Sequence, residues 1–287
     1  MSPSDRAEGI ARLRRVVAQI EAEAGRAGER AGRRLSLARA LDSALGGGLA
    51  DDTLHEIAPA ELADGAAAMG FALALAARFL SQRSAAALVI GEGFAAHEVG
   101  ALYGPGLVAH GLPLSRLVFV QAPDAALAFW AIEEALKCGA PAAVVGEIWN
   151  LKGYSLAVSR RLLLAARKGR TPALLILASA YGQAERLSSA AETRFEIAAA
   201  PSARQAAAGG KDLPGPFACG ARLVKARLTR AGPGDPFQAF DPERVIRLEW
   251  RSEDLAFNED LGFGDPAISL PLAAASGDGP RAAAQRR

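Results

Sequence analysis

The chain has 287 residues and is 51% hydrophobic, enough for one sizeable core with extensions or for two small domains. The formal net charge of +2 excludes strong bulk attraction to nucleic acid, although the positive charge is clustered. Two cysteines and three scattered histidines offer no metal-ligand spacing. No apolar stretch reaches the roughly 20 residues that span a bilayer. The sequence therefore predicts a soluble, cytoplasmic protein that makes no membrane contact.

The first predicted unit, residues 1–34, is an amphipathic helix followed by a linker rich in glycine and arginine. Ser2 and Asp5 match a capping box at the start of the helix. Apolar residues then recur at helical spacing, at Ile10, Leu13, Val17 and Ile20. This stripe needs an apolar surface, either on the same domain or on another chain, and the sequence leaves both open.

The second predicted unit, residues 35–252, begins with short apolar runs that alternate with helical stretches. Continuous apolar strands indicate burial on both faces, and their alternation with helices favours a mostly parallel sheet flanked by helices. The predicted strands are 54–58, 87–91, 117–121, 142–148 and 173–178. The predicted helices lie near 66–83, 94–102, 124–138 and 153–168.

The last third of the chain has a different pattern. Strands are predicted at 194–200, 221–230 and 244–250 without helices between them, which favours antiparallel strands added at one edge of the sheet. A loop is predicted at 201–216. The third unit, residues 253–287, is rich in Asp, Gly, Pro and Ala and is predicted to be a flexible extension.

The segment LDSALGGGLADDTLHEI, residues 41–57, resembles the start of a RecA-type ATPase core. There a short helix runs into a triple-glycine turn and then into the first strand. Within that superfamily the chain most resembles the ImuA-type damage-inducible mutagenesis proteins, on segments such as HEIAPAELADGAAAMGFALALA, LVIGEGFAAHEVGALYGPGL and ALKCGAPAAVVGEIW. The resemblance covers roughly residues 41–250 and implies a RecA-like core with an N-terminal helix.

A working phosphate loop has the form GxxxxGK[ST], in which the lysine reaches the phosphates and the hydroxyl binds Mg²⁺. Gly65 and Gly70 have the required glycine spacing. Phe71 then stands at the position of the lysine and Ala72 at that of the hydroxyl. This alignment supplies neither an ammonium nor a hydroxyl group, so the loop is interpreted as degenerate.

A second alignment starts the loop at Ala58 and Pro59, which places Gly65 or Ala66 at the lysine position. It also lacks both catalytic groups. Glu61 and Asp64 add negative charge where a polyphosphate would enter. We expect the Asp64 carboxylate to cap the following helix and so to fill the place of a phosphate. Ordinary ATP hydrolysis and nucleotide cofactors are therefore not expected.

Two glutamates stand where RecA-type enzymes carry acids. Glu147 ends the strand AAVVGEI and is interpreted as a relic of the Mg²⁺-binding acid, with a simple polar strand end as the alternative. Glu92 follows the second strand, either as a relic catalytic glutamate or as a solvent-facing loop carboxylate.

Basic residues form two candidate DNA- or partner-binding groups. The first lies around the helix after Glu147 and comprises Arg160, Arg161, Arg167, Lys168 and Arg170. It either contacts DNA phosphates or is a solvated helix face. The second lies on one strand and comprises Arg222, Lys225, Arg227 and Arg230. Its alternatives are contact with a neighbour's nucleotide, protection of a sheet edge, and partner binding.

The ImuA resemblance implies a non-enzymatic adaptor in the SOS response to DNA damage. The implied partners are an ImuB-type inactive Y-family-like polymerase, an error-prone C-family polymerase and the RecA filament, with weak or indirect contact to single-stranded DNA. The implied mechanism is protein–protein binding by a pseudo-ATPase core. Two alternatives remain, a divergent RecA-like DNA-dependent ATPase and a SulA-like inhibitor of cell division.

Overall fold

The computed structural model describes residues 33–95, 100–202, 204–206, 212–227 and 241–259. Most of the predicted N-terminal helix and linker and most of the predicted C-terminal extension lie outside these residues, as does Arg230. The described residues form one central sheet of nine strands with helices on both faces. The predicted α/β class is confirmed.

The described strands form the central sheet and two small hairpins, and they are numbered in chain order. They are β1 (Arg34–Leu35), β2 (Leu49–Ala50), β3 (Leu54–Pro59), β4 (Ala87–Glu92), β5 (Leu117–Ala122), β6 (Ala143–Ile148), β7 (Ala173–Leu177), β8 (Thr193–Ala199), β9 (Arg204–Ala206), β10 (Asp212–Pro214), β11 (Ala218–Ala226), β12 (Val245–Arg251) and β13 (Ala256–Asn258). The helices are α1 (Arg39–Ala44), α2 (Gly65–Gln82), α3 (Gly104–Ala109), α4 (Ala125–Cys138) and α5 (Leu156–Gly169).

The order of the central sheet is β13-β12-β11-β8-β3-β7-β6-β4-β5. The six strands from β8 to β5 are parallel, and β11, β12 and β13 continue the sheet antiparallel beyond β8. The strands β3, β6 and β7 are almost entirely buried because helices cover both of their faces. The prediction of a mostly parallel sheet with antiparallel strands at the C-terminal edge is therefore confirmed.

Helix α2 packs on one face of the sheet, while α4 and α5 pack on the other. Small alanines and the rings of Phe71 and Phe79 bury most of α2. Together with the turn before it, this segment (Leu62–Gln82) has 21 residues and a mean hydropathy of 1.4, so by length and composition alone it passes as a membrane span. The expectation that no segment is that long was wrong. More than half of it is buried, as in the central helix of a soluble-type α/β fold.

The triple-glycine turn joins α1 to β2 and requires glycine. Gly46, Gly47 and Gly48 all have positive φ, at 62°, 108° and 116°. A Cβ on Gly48 would lie 2.4 Å from the carbonyl oxygen of Leu35, because β1 and β2 pair directly beside the turn. The segment that resembles the start of a RecA-type core thus folds as short helix, glycine turn and strand.

Four regions differ from the predicted boundaries. Of the helix predicted near 94–102, residues 96–99 lie outside the described residues and residues 100–103 are not helical, while α3 covers Gly104–Ala109. The segment predicted as a loop at 201–216 contains the hairpin of β9 and β10. The sheet continues beyond residue 252, because β13 pairs with β12 through Trp250 and Phe257. Strand β5 is the sheet edge within the described residues, so its apolar run is half-exposed instead of buried on both faces.

Candidate functional site

The carboxyl ends of β3, β4, β6 and β7 meet at one edge of the sheet, where open α/β folds bind ligands. The loop between β3 and α2 lies at this edge. Strand β3 ends at Pro59, a 3₁₀ turn covers Leu62–Asp64, and α2 begins at Gly65. Residues 60–64 are therefore the structural counterpart of a phosphate loop.

Gly70 and Phe71 lie inside α2 and do not belong to this loop. A Cβ on Gly70 would come within 2.7 Å of the Phe217 ring, and Phe71 is fully buried beside Phe195. The alignment that starts at Ala58 and Pro59 therefore fits the structure better than the one through Gly70. Counted from Ala58, the motif spacing puts Asp64 at the position of the lysine, and counted from Pro59 it puts Gly65 there. The expectation of Gly65 or Ala66 was therefore one residue too far along the chain.

The Asp64 carboxylate does not cap α2, contrary to the expectation from sequence. Its Oδ1 accepts a hydrogen bond from the backbone N–H of Ala199 at 2.8 Å, and its Oδ2 accepts one from that of Glu61 at 3.0 Å. It thus ties the loop to the end of β8. The physical reason is that Asp64 ends the 3₁₀ turn, where its carboxylate reaches back to the N–H of Glu61 at the start of that turn.

Glu147 lies at the end of β6, as predicted, beside β4. Its Oε1 accepts a hydrogen bond from the indole Nε1 of Trp149 at 3.1 Å. Burial raises the pKa of its carboxyl, and the charge of Glu92 raises it further. Glu92 is itself only 5% exposed, so it is not the solvent-facing carboxylate of the sequence-based alternative.

The carboxylate of Glu92 fixes the chain after β6. Its Oε1 accepts hydrogen bonds from the backbone N–H groups of Trp149 at 2.7 Å and Asn150 at 2.9 Å. These bonds satisfy buried groups of the fold and leave that oxygen engaged. The geometry assigns Glu92 a positioning role for the loop that carries Trp149.

A cavity of about 890 Å³ opens beside this loop, between the start of α2, α3 and the ends of β6 and β7. Its lining is mostly apolar. The lining includes Met69, Leu73, Leu107, His110, Glu147 and Trp149. His110 Nε2 donates to the carbonyl oxygen of Gly70 at 2.9 Å, and burial lowers the pKa of its imidazole, which favours the neutral form.

A buried polar network that the sequence did not predict lies under the loops after β6 and β7. Arg194 Nε donates to Glu56 Oε2 at 2.6 Å, and the Tyr154 hydroxyl donates to Glu56 Oε1. Arg194 also binds the carbonyl oxygen of Leu187 at 2.8 Å and Ser189 Oγ at 3.0 Å. The network ties both loops to the sheet. Its sequence signals were charged residues within apolar strands, Glu56 in β3 and Arg194 in β8.

The basic residues of α5 do not form one compact cluster. Arg160 and Arg161 are exposed in the second turn, and Arg161 pairs with Glu133 of α4. Arg167, Lys168 and Arg170 are exposed about 10 Å further along the axis, by the 1.5 Å rise per residue. Burial raises the pKa of the Asp52 carboxyl, just before β3, and the charges of Arg167 and Arg170 counteract that rise. Both arginines therefore lie near the start of β3, at the edge of the sheet opposite the carboxyl ends of the parallel strands.

The basic residues of β11 bind other parts of the same chain. Arg222 forms ion pairs with Glu196 at 2.8 Å and Glu185 at 2.7 Å. Lys225 Nζ and Arg227 both donate to the carbonyl oxygen of Ser189, at 2.7 Å and 3.1 Å. The edge-protection hypothesis fails for Arg222, because β11 is paired with both β8 and β12 over residues 219–222.

Exposed apolar side chains lie on β5 and on α4, which packs against it. They are Val118, Phe119, Leu127 and Trp130, with exposed fractions between 45% and 58%. Val118 lies on the face of the sheet that α4 covers, whereas Phe119 lies on the opposite face, because successive side chains of a strand alternate. Trp130 also lines a smaller cavity of about 380 Å³ between α4 and α5. Large exposed apolar side chains of this kind are typical of protein-binding surfaces.

Among the described residues, no group of three or more His, Cys, Asp or Glu side chains is arranged to hold a metal ion. The two cysteines are free, Cys219 buried and Cys138 exposed. At the carboxyl ends of the parallel strands, the described residues thus form a mostly apolar cavity whose one lining carboxylate is that of Glu147. In the adjacent loop at residues 60–64, the Asp64 carboxylate is hydrogen-bonded to backbone N–H groups.

No protein-family model and no curated protein matches the sequence. Among solved structures, the chain is similar to the RadB recombinase, with 18% identity over 76% of this chain and 96% of that one, at a TM-score of 0.46. It is also similar to SulA from Pseudomonas aeruginosa, with 23% identity over 43% of this chain and 96% of that one, at a TM-score of 0.35. Both likenesses concern the fold.

Proposed function

We propose that this chain is a non-enzymatic adaptor that assembles or regulates an SOS-induced, error-prone translesion synthesis complex in the cytoplasm. The proposal follows from the resemblance of its sequence to ImuA-type proteins. Its partners are then an ImuB-type inactive Y-family-like polymerase and an error-prone C-family polymerase, with a further contact to the RecA filament. No nucleotide or metal cofactor takes part.

The observation that carries the pseudo-ATPase part of the proposal is the state of the loop at residues 60–64. An ATPase needs an ammonium and a hydroxyl at the start of the helix, and this loop has Asp64 and Gly65 there. The Asp64 carboxylate is held by the N–H groups of Ala199 and Glu61. The loop is thus stabilised by contacts within the protein and offers no cation to a phosphate.

Two further observations favour protein binding over DNA binding. The cations of β11 are engaged by Glu185, Glu196 and Ser189, so they are not free to contact phosphates. The exposed apolar side chains of β5 and α4 provide a surface of the kind that polypeptide partners bind. A weak contact of Arg160 and Arg167 with single-stranded DNA is compatible with both of these observations.

The experiment that tests the proposal is affinity purification of the tagged full-length chain from its own host after DNA damage, with partners identified by mass spectrometry. We expect the two polymerase-like proteins to be recovered together. An untreated culture is the control. Recovery of a division protein alone supports the SulA-like alternative, and recovery of single-stranded DNA without a protein partner supports the DNA-dependent ATPase. Either result overturns the adaptor proposal.

A further inference from the structure

The cavity beside the loop at residues 60–64 has a charge pattern opposite to that of a nucleotide site. Among the described residues that line it there is one carboxylate, Glu147, and no lysine or arginine. The imidazole of His110 donates to Gly70, and burial disfavours its charged form. A polyphosphate would find negative charge and no compensating cation here. A ligand that carries positive charge would complement the site.

The Glu147 carboxylate has capacity for a further hydrogen bond. Its Oε1 accepts from Trp149 Nε1, while no donor among the described residues lies within hydrogen-bond distance of Oε2. Oε2 would lie 3.6 Å from a Cβ built on Gly91, so a strand without side-chain bulk flanks it. An ionised carboxylate accepts several hydrogen bonds, and a charge-assisted bond to an ammonium is among the strongest available.

The remainder of the cavity is suited to an apolar body. Met69 and Leu73 of α2, Leu107 of α3 and the indole of Trp149 line it. Its volume of about 890 Å³ lies within the range of small-molecule sites, which place a few polar groups in a mostly apolar lining. The ring of Trp149 also offers a face for a cation.

We propose that this cavity is a binding site for an apolar organic amine, whose ammonium group is received by the Glu147 carboxylate. With no lysine or arginine among the described lining residues and the carboxylate of Glu147 at the end of β6, the site is suited to an organic cation instead of an anion. This inference does not depend on the adaptor role, because amine binding and partner recovery are separate measurements and each can fail alone.

The test compares three ligands of nearly equal size on the full-length chain: 2-phenylethylamine, 2-phenylethanol and 3-phenylpropionate. Binding is followed by calorimetry and by the NMR signal of the Trp149 indole N–H, assigned with the Trp149→Phe variant. We expect the amine to bind at least ten-fold more tightly than the carboxylate, with the alcohol between them. Equal affinities for amine and carboxylate, or no binding of the amine, overturn the proposal.

Two variants locate the site. Glu147→Gln should weaken binding of the amine about ten-fold and leave the alcohol unchanged, because only the amine uses the charge. The matched control is Glu253→Gln, an exposed carboxylate that does not line the cavity. Ala66→Phe, at an exposed position of the lining, should block all three ligands without disturbing the core. Unchanged amine binding in both cavity variants contradicts the assignment.

Discussion

The carboxylate of Glu56 and the guanidinium of Arg194 form an ion pair inside the core, with Oε2 2.6 Å from Nε and side-chain exposures of 0% and 2%. Glu56 lies on β3 and Arg194 on the adjacent parallel strand β8. Nη1 of Arg194 donates to the carbonyl oxygens of Ala184 and Leu187, in the loop after β7, and Nη2 donates to Ser189 Oγ. The pair therefore determines where that loop sits on the sheet.

Removing one member of this pair leaves an uncompensated buried charge. We expect Arg194→Met to lower the free energy of unfolding by about 3–5 kcal/mol. The double variant Glu56→Leu/Arg194→Met should recover part of that loss. Urea denaturation measures both. The matched control is Arg161→Met, which removes a 60%-exposed arginine paired with Glu133 and should cost less than about 1 kcal/mol. Equal losses for Arg161 and Arg194 would contradict the burial argument.

Gly65 and Gly70 have the spacing of phosphate-loop glycines but different surroundings. A Cβ on Gly65 meets nothing within 4 Å, and its φ of −53° suits any residue. Gly65→Ala should therefore raise the free energy of unfolding by about 0.4–1 kcal/mol.

Gly70→Ala places its Cβ 2.7 Å from the Phe217 ring. Overpacking of about 1–3 kcal/mol then outweighs the gain in helix propensity of about 1 kcal/mol. Thermal unfolding of the two variants in parallel gives the answer. Equal stability of Gly70→Ala and Gly65→Ala would show that the ring of Phe217 does not pack directly against Gly70.

His55 is fully buried, and its pKa is lowered from 6.5 to about 4, chiefly by burial. Its Nε2 donates to the carbonyl oxygen of Ala50, and its Nδ1 accepts from the Thr193 hydroxyl, both at 2.8 Å. The unfolded chain therefore binds a proton more readily than the folded one between these pH values. Stability should fall as pH drops from 6.5 towards 4.

The measurement is the melting temperature across that pH range for wild type and His55→Gln. Because buried carboxyls such as Glu147 and Glu192 also have raised pKa values, the difference between the two proteins isolates the histidine. The variant should be less stable at pH 7 and lose less stability on acidification. Parallel curves for the two proteins would show that His55 does not titrate differently on folding.

The loop at residues 60–64 should not support nucleotide binding. We expect isothermal titration of MgATP into the full-length chain to give no saturable signal at micromolar concentrations, since Asp64 and Glu61 oppose a polyphosphate without a compensating lysine. Saturable micromolar binding that is lost on Gly65→Asp or Glu147→Ala would refute the pseudo-ATPase proposal.

The exposed apolar side chains of β5 and α4 should contribute to partner binding. Val118→Ala with Trp130→Ala removes two of them that share one face of the sheet, and we expect recovery of the polymerase-like partners to fall at least ten-fold, as for side chains central to an interface. Leu164→Ala, on an equally exposed leucine of α5, is the matched control. Partner recovery that survives the double variant assigns binding to another surface.

The sequence alone predicts eight of the nine strands of the central sheet to within a few residues and misses β13. This works because strands buried on both faces need unbroken apolar runs, such as those of β6 and β7, and because helices between them force a parallel arrangement. The triple-glycine turn is equally local, since positive φ angles at Gly46–48 demand residues without a Cβ. The proposal of a degenerate phosphate loop likewise needs only the sequence, because it depends on residue types at fixed spacing.

Contacts between distant residues depend on the tertiary structure. Glu56 and Arg194 are 138 positions apart, and nothing in either segment indicates that adjacent strands bring the two charges together. The direction of the Asp64 carboxylate depends on the end of β8, 135 positions away. The cavity exists because α3, β6 and β7 meet beside α2. Periodicity and spacing describe each segment along the chain, whereas these features arise from which segments become neighbours when the core closes.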